Sequence, residues 1–136
     1  MMKDPAIAYT ERLENIFNLI NEEQYRSCFK VSKNLTNFSW TMELKDEVFI
    51  SEVLESIFNQ MGDVLSEYKI PPEKKEKLKN ELSNGMKKLI SAYSKKNPSE
   101  LYDCLRELRY SATFHQLHAW QKYPEITHTR VIRGIQ

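Results

Sequence analysis

A chain of 136 residues, 40% hydrophobic and 29% charged with a formal net charge of +1, has the length of one domain and enough apolar surface to build a core without a disulfide or metal staple. Seven Tyr, six Phe and two Trp separate it from disordered chains, and three Gly with five Pro favour long helices. No apolar run approaches the ~18 residues of a membrane span, and Asp4, Glu11, Arg12 and Glu14 interrupt any signal-peptide hydrophobic region, so the expected protein is cytoplasmic and contacts no membrane.

Asp4-Pro5 predicts an N-cap followed by proline at the first helical position. Behind it Ala6, Tyr9, Leu13, Ile16, Phe17 and Ile20 recur at helical spacing, which places them on one stripe. Asn21 with Gln24 offers a second cap, and Tyr25, Cys28 and Phe29 carry a shorter amphipathic helix to about Leu35. Phe38, Trp40, Met42 and Leu44 then alternate with Ser39, Thr41 and Glu43. That period of two predicts an extended segment near residues 38 to 44, either a connection laying large side chains into the bundle or a short strand paired with residues 126 to 132.

Asp46 is the expected cap of a long helix whose stripe runs through Ile50, Val53, Leu54, Ile57, Met61, Val64, Leu65 and Tyr68. Ile70-Pro71-Pro72 ends it and opens the next, with Leu78, Leu82, Met86, Leu89, Ile90 and Tyr93 in register to Ser94 and a possible bend at Asn84-Gly85. Asn97-Pro98-Ser99-Glu100 is a cap, a first-turn proline and a capping-box acid in sequence. The final helix should reach about Lys122, before Pro124, and an extended tail follows from about 123. The whole reads as an all-α, single-domain bundle of about five helices spanning residues 1–136.

Charge is uneven along the chain. Residues 41 to 68 carry seven acids against Lys45, and residues 72 to 96 carry eight lysines against three glutamates. The simplest expectation is two neighbouring helices attracting across a shared edge, which leaves nucleic acid a possible but unfavoured partner. Cys28 and Cys104 belong to no CxxC pair and are expected as buried thiols.

Unusual side chains gather only on the last helix. On a wheel of about 100° steps His115 lies about 20° from Leu108, close to Ala112 and Ala119, so a buried neutral imidazole bonded to a backbone carbonyl or a hydroxyl is the leading expectation. His118, three residues on, can approach the same side, but two histidines without a third ligand give no metal site. No cofactor-binding motif is present: the glycines at 62, 85 and 134 are isolated, and neither GxSxG nor HExxH occurs.

The Arg109-x5-His115 spacing resembles the Arg-x4-to-6-His motif of the HEPN family of helical nucleases and nucleotide-binding proteins. The resemblance implies a helical bundle that dimerises, brings two motifs together and cleaves RNA without metal, with Arg109 holding a phosphate and His115 moving a proton. On one straight helix the two residues point about 120° apart, so they would meet on a substrate only across a dimer interface or at a distortion.

Tyr102, Tyr110, Phe114, Leu117 and Trp120 lie outside the narrow stripe, so the helix is apolar over more than one face. The expected function is therefore a non-catalytic interaction or regulatory module that meets a protein partner, or a second copy of itself, through the last helix. Arg109, His115, His118, Trp120 and Tyr123 are the candidate binding residues, and the HEPN-like RNase or nucleotide-binding protein is the alternative.

Overall fold

The computed structural model describes residues 4–66 and 70–122, and five helices follow one another within them: α1 Pro5–Asn21, α2 Tyr25–Thr41, α3 Lys45–Ser66, α4 Pro72–Ser94 and α5 Pro98–Lys122. The expected all-α bundle is present, with no strand among the described residues. Tyr68, expected at the end of the α3 stripe, and the tail from 123, including Tyr123 and residues 126 to 132, lie outside them.

Local chemistry explains where the helices start. Asp4 Oδ1 accepts from the Ala6 N–H at 2.8 Å, and Pro5 fills the first position, where a missing donor costs nothing. At α5, Asn97 Oδ1 accepts from the Glu100 N–H at 3.2 Å. The returning Glu100 carboxylate takes the Asn97 side-chain amide at 3.3 Å instead of the backbone N–H a full capping box would use. Two other expected caps are not built. Asn21 donates back to the Phe17 carbonyl and Gln24 makes no side-chain cap bond, while Asp46 falls inside the first turn of α3, where its charge complements the helix dipole.

The helix ends at three junctions share one closure. Glu23, Glu43 and Lys96 take φ of 60°, 56° and 55°, and the next residue's N–H reaches back five residues to Leu19, Ser39 or Ala92. This left-handed turn is usually made by glycine, and a side chain there costs about 1 kcal/mol or more.

The extended segment expected at 38 to 44 is corrected: α2 continues through Phe38 and Trp40 to Thr41, and only Met42 to Leu44 form a link. The buried face of α2 is Tyr25, Cys28, Ser32, Leu35, Thr36 and Ser39, whereas Trp40 is 64% exposed. Ser32, Thr36 and Ser39 each donate to the carbonyl four residues earlier, at 2.8, 3.2 and 2.8 Å. Small hydroxyls satisfied this way pack like apolar residues while hiding the helical period from a hydrophobicity pattern.

Each helix has two main neighbours, and they close a ring in the order α1, α2, α3, α5, α4. The acidic α3 and the lysine-rich α4 therefore barely touch, which corrects the expectation of a shared charged edge. Lys79 of α4 instead pairs with Glu23 beyond the end of α1 and with Glu76 of its own helix. The core runs through the ring from Tyr9, Leu13, Ile16 and Ile20 to Leu54, Ile57, Leu82, Met86 and Leu108. Tyr9 is fully buried; its hydroxyl donates to the Glu47 carbonyl at 3.1 Å and lies 2.9 Å from Ser51 Oγ, tying α1 to α3. Burial raises its pKa well above the ordinary value, so the phenol stays protonated.

Candidate functional site

Helix α5 completes the ring between α3 and α4. Its inner face is Cys104, Leu105, Leu108, Ala112, Gln116 and Ala119, half of them small. The approach to α4 is close at Gly85, where a Cβ would overlap Leu108 Cδ2. Helix α4 runs unbroken through Asn84-Gly85, where the sequence suggested a bend, and the glycine faces Leu108 of α5. On the α3 side the Gln60 amide donates to Thr113 Oγ1 at 3.5 Å.

His115 sits at the seam with α4 instead of on the core stripe. Its side chain is 15% exposed and its Nε2 lies 2.8 Å from Glu81 Oε2. The partner is thus a carboxylate, not the backbone carbonyl or hydroxyl expected, and Gln116 takes the fully buried position beside it. Ser111 Oγ donates to the same Glu81 oxygen at 3.1 Å. A nucleophilic relay needs the imidazole between hydroxyl and carboxylate, but here the carboxylate stands between the other two. The arrangement ties α4 to α5 and does not activate Ser111. A cavity of about 360 Å³ beside this seam is lined in part by Glu81, Lys88, Cys104 and Ser111.

Glu81 was not recoverable from the sequence, because no spacing rule links residue 81 to residue 115 and the glutamate lies in a lysine-rich helix. Of the other candidates, Arg109 is exposed on the outside of α5, away from the seam that holds His115. His118 is also exposed, with its ring stacked on Phe114 at 6.4 Å and 9°. Trp120 is half-buried; its indole Nε1 and the Gln116 amide nitrogen have no hydrogen-bond partner among the described residues. The Arg109 and His115 pair therefore does not converge within one protomer.

Burial disfavours the thiolate form at both cysteines. Cys28 and Cys104 are free and buried, and burial pushes the Cys28 pKa up to about 12 and raises that of Cys104. Among the described residues no three His, Cys, Asp or Glu side chains gather to hold a metal ion, and no helix is long and apolar enough to cross a membrane.

The outer face of α5 is the feature the wheel located, and its large apolar side chains are exposed among the described residues. Tyr110, Phe114 and Leu117 are 73%, 55% and 50% exposed and fall within about 60° of one another on the helix. Exposed Asp103 and Glu107 lie on the same side toward the start of α5, where Asp103 pairs with Arg106 at 3.7 Å. Toward the end come His118 and Gln121, both exposed, and no acid follows Glu107 on the helix. Tyr102 stands to one side with its ring 5.8 Å from that of Phe49, both about half exposed. No protein-family model, curated protein or solved structure matches the chain.

Proposed function

We propose that the protein is a non-catalytic interaction module that pairs with a second copy of itself through the outer face of α5. The observation that carries the reading is the exposed triplet of Tyr110, Phe114 and Leu117 on one helix face. Large apolar side chains rarely line an exposed helix face without a partner. The polar residues around the triplet favour one orientation. In an antiparallel pair related by a two-fold axis near residue 112, Tyr110 of one protomer meets Phe114 of the other, and Glu107 comes beside His118. The acidic start of each helix then faces an end that carries no acid. A parallel pair would set Asp103 against Asp103 and Glu107 against Glu107 and would align the two helix dipoles, so electrostatics selects the antiparallel one.

A helix pair of this length buries less surface than an obligate interface, so the expected affinity is micromolar. Light scattering across micromolar concentrations should give a dimer for the native chain and a monomer for Phe114→Asp with its helicity retained. The orientation has a sharper test. His118→Glu should weaken association by bringing a second carboxylate to Glu107, and adding Glu107→Lys should restore it. A native chain that stays monomeric at a hundred micromolar, or a double variant no stronger than His118→Glu alone, would refute the reading.

A further inference from the structure

The side of α5 that meets α3 carries polar groups that the fold does not pair. Thr113, Gln116 and Trp120 fall within about 60° of one another on the helix. Gln60 of α3 reaches across to the first of them, its amide donating to Thr113 Oγ1 at 3.5 Å. Three atoms of this group are shut off from solvent and have no hydrogen-bond partner among the described residues: Gln60 Oε1, Gln116 Nε2 and Trp120 Nε1. Gln116 as a whole is only 4% exposed. Native folds rarely leave such atoms unpaired, because each has given up its bonds to solvent.

Helix geometry brings the three atoms toward one place. Side chains on a helix lean toward its start, so Gln116 and Trp120, about one turn apart, both lean back toward the level of Thr113, where the Gln60 carboxamide is held. Two of the atoms belong to donors and one is an acceptor, and this mixture selects the occupant. An anion would be repelled by the Gln60 oxygen, and a cation by the two N–H groups. Water accepts from two donors and still has hydrogens to give, so it satisfies all three. Internal waters typically make about three hydrogen bonds to buried groups that lack other partners.

We propose that the α3–α5 seam is an internal hydration site, in which water accepts from Gln116 Nε2 and Trp120 Nε1 and donates to Gln60 Oε1. Trp120 and Gln116 then serve as binding residues for a solvent molecule built into the fold. The site is independent of the outer face formed by Tyr110, Phe114 and Leu117, so the failure of either reading leaves the other standing.

The test is water-selective NMR on the native full chain, read at the indole Hε1 of Trp120 and the carboxamide of Gln116. Bound water should give each a cross-peak that changes sign in the rotating frame, which separates contact from proton exchange. Trp40, the other tryptophan and 64% exposed, is the control. Its indole proton should exchange with solvent at least about ten times faster than that of Trp120. Gln60→Met and Gln116→Met each remove polar atoms while keeping side-chain length, and circular dichroism checks that both variants fold. Either change should weaken or abolish the water peak at Trp120. Three results would overturn the proposal: no sign-changing peak at either group, a Trp120 indole that exchanges as fast as that of Trp40, or contacts from another segment of the chain in place of water. A Trp120 water peak unchanged in both methionine variants would also sink it, because the three groups would then not share an occupant. A Trp120 indole resonance that moves with chloride at constant ionic strength would replace the water with an anion.

Discussion

Gly85→Ala isolates the contact that lets α4 and α5 meet. Two effects of opposite sign compete. In a helix interior alanine is favoured over glycine by about 1 kcal/mol. Against this, the new methyl would overlap Leu108 Cδ2 and come within 2.9 Å of Leu108 Cγ, and Leu108 is only 6% exposed. Forcing a buried side chain aside costs about 1 to 3 kcal/mol. The net expectation is a loss of up to about 2 kcal/mol, with the sign set by packing. Gly62, inside α3, supplies the control, because a Cβ there meets nothing within 4 Å. Gly62→Ala should therefore gain about 0.5 to 1 kcal/mol. Urea unfolding of both variants reads the difference directly, and in a thermal melt each kcal/mol moves the midpoint by about 4 °C at this chain length. Combining Gly85→Ala with Leu108→Ala removes the obstacle, so in that background the alanine at 85 should become stabilising. If Gly85→Ala and Gly62→Ala stabilise the protein equally, the glycine does not set the α4–α5 approach.

His115→Ala should cost about 1 to 2 kcal/mol, and in a double-mutant cycle with Glu81→Gln most of that should appear as coupling; purely additive losses would show that the 2.8 Å contact carries no energy. Tyr9→Phe should cost about 1 to 2 kcal/mol in urea unfolding, because it removes a buried hydroxyl bonded to α3, and an unchanged midpoint would contradict that role. Cys28 and Tyr25 have ordinary pKa values of 9.0 and 10.0, and burial pushes both up to about 12 in the fold. Their protonated forms are favoured by folding, so this part of the stability is complete below about pH 9 and is lost as pH rises through about 12; a midpoint flat across that window would refute the burial assigned to them. Glu43→Gly should be neutral to stabilising by up to about 1 kcal/mol, since glycine accepts the φ of 56° freely; a clear loss would show the side chain to be needed there.

Helices α1, α3 and α4 were legible because strong apolar stripes and proline signals coincide, as at Asp4-Pro5 and Pro71-Pro72. Helix α2 was legible only to Leu35, since its second half is buried through Thr36 and Ser39, which a hydrophobic pattern reads as polar. The alternation of Phe38 with Trp40 came from residues about 200° apart on that helix, Phe38 half-buried and Trp40 exposed. On α5 the wheel found the second apolar face and brought His115 near the core. It could not supply Glu81, because a contact between helices depends on how they cross, and a helical wheel carries no information about that crossing. Local periodicity likewise placed acids on α3 and lysines on α4 but gave no sign that α5 would lie between them.

The order of the ring bears on how the chain acquires its fold. Helices α3 and α4 follow each other in sequence, yet the wall between them is supplied by the last helix. Without residues 98 to 122 the side between α3 and α4 would stand open, and Met61 and Leu82, which share a cavity wall with Leu108 and Ala112, would lose that cover. Helix α5 is thus a keystone. A chain lacking residues 98 to 122 should therefore expose an apolar seam that α3 and α4 do not close between them, the kind of surface that favours aggregation or capture by a chaperone.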